Sequence, residues 1–230
     1  MKRAFPILGI LTAILLSYAL YQALVVAPTE QTMGDVQRIF YYHVPSAWTA
    51  FTLFFINFCA SIYYLAKRSP VADIVALTTC EIGVVFLLVN LVTGPIWARP
   101  VWGIWWTWDW RLTSTLVTWL IYVSYLFLRR FASGGQTPTL GAATAIFGGL
   151  CIPFVYFSIW FFRTQHPQPV MGGGGSIDPR MMHALMINWL AFSCFAFLVC
   201  WSRFQLEKMR REVDEVHALE SLKDVSRSAR

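Results

Sequence analysis

Charge is scarce in this sequence. Only 13% of its 230 residues are charged, while 57% are hydrophobic. A soluble domain carries about a quarter charged residues, so there are too few here to cover a water-facing surface, and the chain reads as a membrane protein. The five cysteines (Cys59, Cys80, Cys151, Cys194 and Cys200) form no C-x-x-C pair and no C-x-x-C-H motif. That argues against a thiol oxidoreductase and a c-type cytochrome; they read as small buried hydrophobes. No P-loop is present, and no carboxylate–histidine cluster suggests zinc or a di-iron site. No small-x-small cleavage site follows the first apolar run, so Lys2 and Arg3 precede an uncleaved span. No internal repeat is evident.

What the sequence does have is long apolar runs. A helix needs about 20 apolar residues to cross a bilayer, and six stretches qualify: Pro6–Ala27, Pro45–Ala66, Ala72–Thr93, Leu112–Leu128, Leu140–Phe162 and His183–Trp201. The expected fold is all-α, an integral membrane protein of six transmembrane helices. Little chain is left for a soluble domain. The six spans form one membrane domain over residues 1–203, followed by a tail over 204–230. Most of the 18 Lys and Arg residues fall on the side of the termini. Only Arg38, Arg99, Arg111, Arg163 and Arg180 fall on the other, so the positive-inside rule places both termini in the cytoplasm. The net charge of +6 reflects this bias and is no argument for nucleic acid.

The inner connections are short and the outer ones long: Pro28–Val44, Pro95–Arg111 and Arg163–Met182. Function is therefore expected on the outside. The third outer loop holds "MGGGGSIDP", whose four glycines would lose much entropy if fixed, so it reads as a tether or lid. In the tail, Leu206, Met209, Val213 and Val216 make an apolar stripe on a charged helix. Glu220 breaks the stripe, which argues against a long coiled coil. The tail could dock a cytoplasmic partner or lie on headgroups; His217 within it reads as an ordinary exposed residue.

Six of the 11 tryptophans fall between Trp97 and Trp110. A lipid-anchoring belt spreads its tryptophans among span ends, and Trp48, Trp119, Trp160, Trp189 and Trp201 fit that reading. A cluster in one loop beside Asp109 and Arg111 fits a floor for a flat ligand better. Asp109 could cap the fourth span. Arg111 could pair with Asp109 or bind an anionic group such as a haem propionate. Pro45 suits the first turn of the second span, which puts His43 just outside that helix. His183 stands at the start of the sixth span, at matching depth. A positive helix end keeps an imidazole neutral, as a metal ligand must be. Each histidine could equally be a hydrogen-bonding boundary residue. Together, two neutral histidines and an aromatic floor meet the needs of a hexacoordinate haem. His166, just past the fifth span, ranks below them as a third ligand, an exchange ligand or a partner contact. Glu81 lies inside the third span, where a carboxylate is costly. It could be hydrogen-bonded to Thr78 or a neighbouring span, or serve an internal pathway or a partner interface; Asn90 raises the same question less strongly.

"WGIWWTWDWRLTS" resembles the tryptophan-rich WWD motif of haem-handling proteins in cytochrome c biogenesis. "YYHVPSAW", "EIGVVF", "LVTGPIWARPVWGIWWTWDWRLTS" and "WFFRTQHPQP" resemble segments of the haem exporter protein C (CcmC) family, related to the CcsA proteins, in family order. The resemblance implies a protein of the bacterial plasma membrane that holds haem b non-covalently, in transit, on its outer WWD loop, here residues 95–111. It implies axial ligation by two histidines, matched to His43 and His183, and a haem-contacting set of Trp97, Trp102, Trp105, Trp106, Trp108, Asp109, Trp110 and Arg111. The implied partners are a membrane-anchored haem chaperone, ATP-binding cassette subunits and a small single-span subunit. "VMGGGGSIDPRM" departs from the compact third loop that the family implies. The protein is expected to work by binding and handover, with no dedicated acid, base or nucleophile, and so not as an enzyme. The alternatives are a haem export permease subunit, a structural docking subunit of the maturation complex, and, disfavoured by length, a synthase that attaches haem directly.

Overall fold

The structure, a computed structural model, describes residues 4–132, 134–167 and 177–228. Six helices dominate it: α1 (Ala4–Tyr21), α2 (Phe40–Lys67), α3 (Pro70–Trp102), α4 (Trp110–Phe131), α5 (Thr137–Phe161) and α6 (Pro179–Ser228). All six are long and apolar enough to cross a membrane. No β-strand occurs among the described residues; one isolated bridge joins Glu30 and Gly34. Consecutive helices alternate in direction. The α1–α2, α3–α4 and α5–α6 connections therefore share one end of the bundle, the tryptophan end, and the start of α1 and the end of α6 lie toward the other.

Local chemistry sets the helix ends. Ser69 caps α3, its Oγ accepting from the Ala72 amide at 3.4 Å, with Pro70 in the first turn. Gly103 ends α3 at φ +79°, a conformation that costs glycine little. Its amide returns to the Arg99 carbonyl, while its own carbonyl accepts from the Arg99 side chain. Asp109 caps α4, accepting from the Leu112 amide at 2.9 Å. A π-turn over Gln22–Val26 closes α1, and a 3-10 turn over Asp35–Ile39 leads into α2. Between them Arg38 donates to the carbonyls of Ala23 and Ala27, neutralising the end of α1.

Two expected boundaries are corrected. α2 begins at Phe40, so His43 is inside the helix and Pro45 lies beyond its first turn. α3 continues through Pro95 and Pro100 to Trp102, so the connection expected over 95–111 shrinks to 103–109. Prolines are tolerated inside membrane helices because neighbouring groups re-satisfy the freed carbonyls. The tail is not a separate element either, since α6 runs unbroken for 50 residues from the tryptophan end past the bundle. The four glycines fall in residues 168–176, outside the described residues.

The middle of the bundle is sealed by aromatic packing. Phe54 of α2 stacks on Tyr122 of α4 with centroids 3.7 Å apart. Gly83 permits that approach, since a Cβ there would meet the Phe54 ring at 2.7 Å. Cys80 is buried beside them, whereas Cys59 is exposed on α2, contrary to the expectation for all five cysteines. At the end away from the tryptophans, Asp73 of α3 takes two 2.7 Å bonds from Arg129 of α4 and one of 2.8 Å from Arg211 of α6. Glu81 is paired, as a costly intramembrane carboxylate should be. Its partner is Arg203 of α6, at 2.9 Å through both oxygens, and Thr78 bonds its own helix instead.

Candidate functional site

The tryptophan cluster is divided among three elements. Trp97 and Trp102 belong to the last turns of α3, Trp105, Trp106 and Trp108 to the connection, and Trp110 to the start of α4. Trp97 is half-buried and packs edge-on against Phe40 and His43, with centroids at 6.1 and 5.8 Å. Trp102 and Trp106 are half-buried. Trp105, Trp108 and Trp110 are the outward members, 59%, 77% and 53% exposed, enough to offer whole ring faces. Trp108 stands edge-on to Trp106 at 5.8 Å, and Trp110 stacks on Phe162 at 4.5 Å.

Asp109 joins this connection to the next. Besides capping α4, its carboxylate accepts from the Thr164 hydroxyl at 2.7 Å and the Gln165 amide at 3.3 Å. His166 is thereby held beside the tryptophan connection. Arg111 forms no ion pair with Asp109. Its Nη1 donates to the carbonyls of Val155 and Tyr156 on α5 at 2.6 and 3.2 Å. Its Nε and Nη2 have no acceptor among the described residues, which leaves them free for an anion.

The three histidines of this end differ. His43 is buried at the α2–α3 contact. Its Nδ1 lies 2.9 Å from the Thr93 hydroxyl and its Nε2 lies 3.1 Å from the Asn90 amide nitrogen. Gly94 lets the ring in, since a Cβ there would meet His43 Cε1 at 3.3 Å. His166 is half-buried. Its Nδ1 donates to the Pro167 carbonyl at 2.9 Å, which leaves the Nε2 lone pair free. Burial, and then the charge of Arg111, push its imidazole down to about 4, so it is neutral near pH 7. Trp97 packs against His43, and the charge of Arg111 acts on His166.

His183 faces another way. Met181, Ala184, Leu185 and Asn188 form the buried face of α6. His183 points off that face and lines a shallow apolar groove of about 370 Å³ with Met186, Ile187, Trp189, Leu190 and Ser193. The start of α6 packs beside Phe40 and Tyr41 at the tryptophan end, but the helix turns His183 outward. The structure thus gathers His43, His166, Arg111, Asp109 and the tryptophans and leaves His183 apart. Ala184 and Asn188, a small and a polar residue four apart in an otherwise apolar run, are the sequence signal for which face of α6 is buried.

Fold and site together define a multi-pass, all-helical membrane protein that collects histidines and exposed tryptophans at one end of its bundle. The profile of a family described as "Heme exporter protein C" matches residues 1–219. The chain belongs to this family. It is 32% identical to Heme exporter protein C of Bradyrhizobium diazoefficiens over 222 residues, covering 95% of this chain and 84% of that one. It is 31% identical over 206 residues to Heme exporter protein C of Escherichia coli K12, covering 89% and 82%. A putative cytochrome c biosynthesis ccmC-like mitochondrial protein of Marchantia polymorpha is 32% identical over 185 residues, covering 80% and 78%.

Proposed function

We propose that this protein holds haem as cargo at the tryptophan end and hands it on for c-type cytochrome maturation. The observation that carries the reading is the meeting, at one end of the bundle, of two histidines, an arginine with free donors and three exposed tryptophan faces. Haem needs axial nitrogen ligands, a broad apolar contact and neutralisation of its propionates. His43 and His166 would supply the ligands, with His166 taking the role expected of His183. Trp105, Trp108 and Trp110 would carry the porphyrin, Trp97, Trp102 and Trp106 would back them, and Arg111 would meet a propionate. Asp109 would act by holding the His166 segment and α4 in place.

The names of the relatives support the setting: two are heme exporter proteins and one is named for cytochrome c biosynthesis. The basic residues collect at the end opposite the tryptophans, which supports cytoplasmic termini and a tryptophan end facing outward from a bacterial plasma membrane. An exposed aromatic face also suits brief holding, because a membrane-anchored haem chaperone can approach it directly. The ATP-binding cassette subunits and the small single-span subunit would meet the rest of the molecule. The protein works in this reading by binding and release.

The test is the absorption spectrum of detergent-purified protein titrated with haem, beside His43→Ala, His166→Ala and His183→Ala. Low-spin haem is expected in the wild type and in His183→Ala, with conversion to high spin or loss of haem in the other two. Loss confined to His43→Ala and His183→Ala would show that His183 and not His166 is the second ligand. Failure of the wild type to take up haem would leave the tryptophan end a protein-docking surface.

A further inference from the structure

The two proposed ligands are not equally ready. His166 has a free Nε2 lone pair, whereas both ring nitrogens of His43 are engaged. The bonding around His43 fixes which nitrogen carries its proton. The Thr93 hydroxyl lies 2.7 Å from the Val89 carbonyl and spends its only hydrogen there. It can therefore only accept from His43, so Nδ1 bears the proton and Nε2 does not. Asn90 Nδ2 lies 3.1 Å from His43 Nε2 and 3.1 Å from the His43 carbonyl. A carbonyl can only accept, so the Asn90 atom facing it is the amide nitrogen and not the amide oxygen. One of its hydrogens goes to the carbonyl and the other to Nε2. The lone pair of His43 that would bind iron is capped by an internal donor, inside a buried contact.

We propose that Asn90 is a latch on His43: it occupies the Nε2 lone pair when haem is absent and competes with iron for it when haem is present. This rests on the reading of His43 as a haem ligand. Thr93 is the fixed part of the device, since its bond to Nδ1 survives ligation and orients the ring as a carbonyl or carboxylate orients other metal-bound histidines. Asn90 is the exchangeable part. Cargo first engages the open Nε2 of His166, and the second bond forms only as the Asn90 amide gives up Nε2. Release runs in reverse, with Asn90 recapturing the lone pair as iron departs. The competition lowers affinity by about the worth of one net hydrogen bond, roughly fivefold. A protein that must give its ligand away gains by such a loss.

The test compares wild type with Asn90→Leu, which keeps the branched shape without a donor, in two measurements. Ferric haem titration and dissociation into excess apomyoglobin should show Asn90→Leu binding about fivefold more tightly and releasing correspondingly more slowly. A residue that merely braced the ring would shift both the other way, and weaker binding or no change overturns the latch. The second measurement is nitrogen NMR of the haem-free protein with labelled histidine. Wild-type His43 should show an unprotonated Nε2 shifted upfield by an accepted hydrogen bond, moving downfield in Asn90→Leu. A protonated Nε2 in the wild type overturns the proposal even if the variant fails to fold. If His43→Ala binds haem as the wild type does, the ligand assignment itself has failed, a result distinct from an unchanged Asn90→Leu.

Discussion

Asp109 shows how much one side chain can organise. One carboxylate oxygen caps α4 and the other holds Thr164 and Gln165, so the aromatic connection and the His166 segment share a single anchor. Asp109→Ala is expected to cost about 1–2 kcal/mol through the cap alone and to weaken haem binding by freeing His166. Asp109→Asn, which keeps an acceptor for the Leu112 amide, should retain most of the stability. Thermal unfolding in detergent and a haem titration of both variants check this. The cap was legible in the sequence, because an aspartate just before an apolar run announces a helix start. The tie to Thr164 was not, because the two lie 55 positions apart and only packing brings them together. The same limit applies to the histidines. Depth can be read along a helix from its ends, but the direction a residue faces depends on which side of the helix is covered.

At the scale of the helices, packing and a few buried charges fix the arrangement. Six apolar runs were evident because the bilayer demands them, yet two of their ends were blurred by prolines, at Pro45 and at Pro95 and Pro100. The charge network was legible only as isolated anomalies: Glu81 stood out as an intramembrane acid, and its partner Arg203 looked like an ordinary inside-facing cation. Asp73, Arg129 and Arg211 tie α3, α4 and α6 together with little exposure of Asp73 or Arg129. Breaking a buried pair costs about 3–5 kcal/mol because it strands a charge, but here Arg211 remains beside Asp73. Arg129→Met is therefore expected to cost about 2 kcal/mol, and Arg129→Met with Arg211→Met more than the sum of the two alone. Arg203→Met leaves Glu81 without its ion-pair partner inside a span, and is expected to cost at least as much as Arg129→Met. Thermal midpoints of the four variants would rank these effects.

For the molecule as a whole, an even number of spans returns the chain to the side from which it started. Cysteines placed at residue 108 and in the tail at residue 219 should therefore react from opposite faces of sealed vesicles, with a membrane-impermeant thiol reagent reaching the tail in inverted vesicles and residue 108 in right-side-out ones. The reverse pattern would invert the proposed orientation, and labelling of both from one face would break the six-span topology. α6 belongs to this scale because it is the longest of the described helices. At 1.5 Å per residue its 50 residues extend about 75 Å, against a hydrocarbon core of about 30 Å. Met181, Ala184 and Leu185 fasten it at one end beside Phe40 and Tyr41, and from Glu212 through Lys223 its side chains stand exposed. Mechanically it is a shaft with its bearing in the wall of the site. Its two ends thus meet different surroundings: one is packed against Phe40 and Tyr41, next to His43, and the other stands clear of the rest of the molecule.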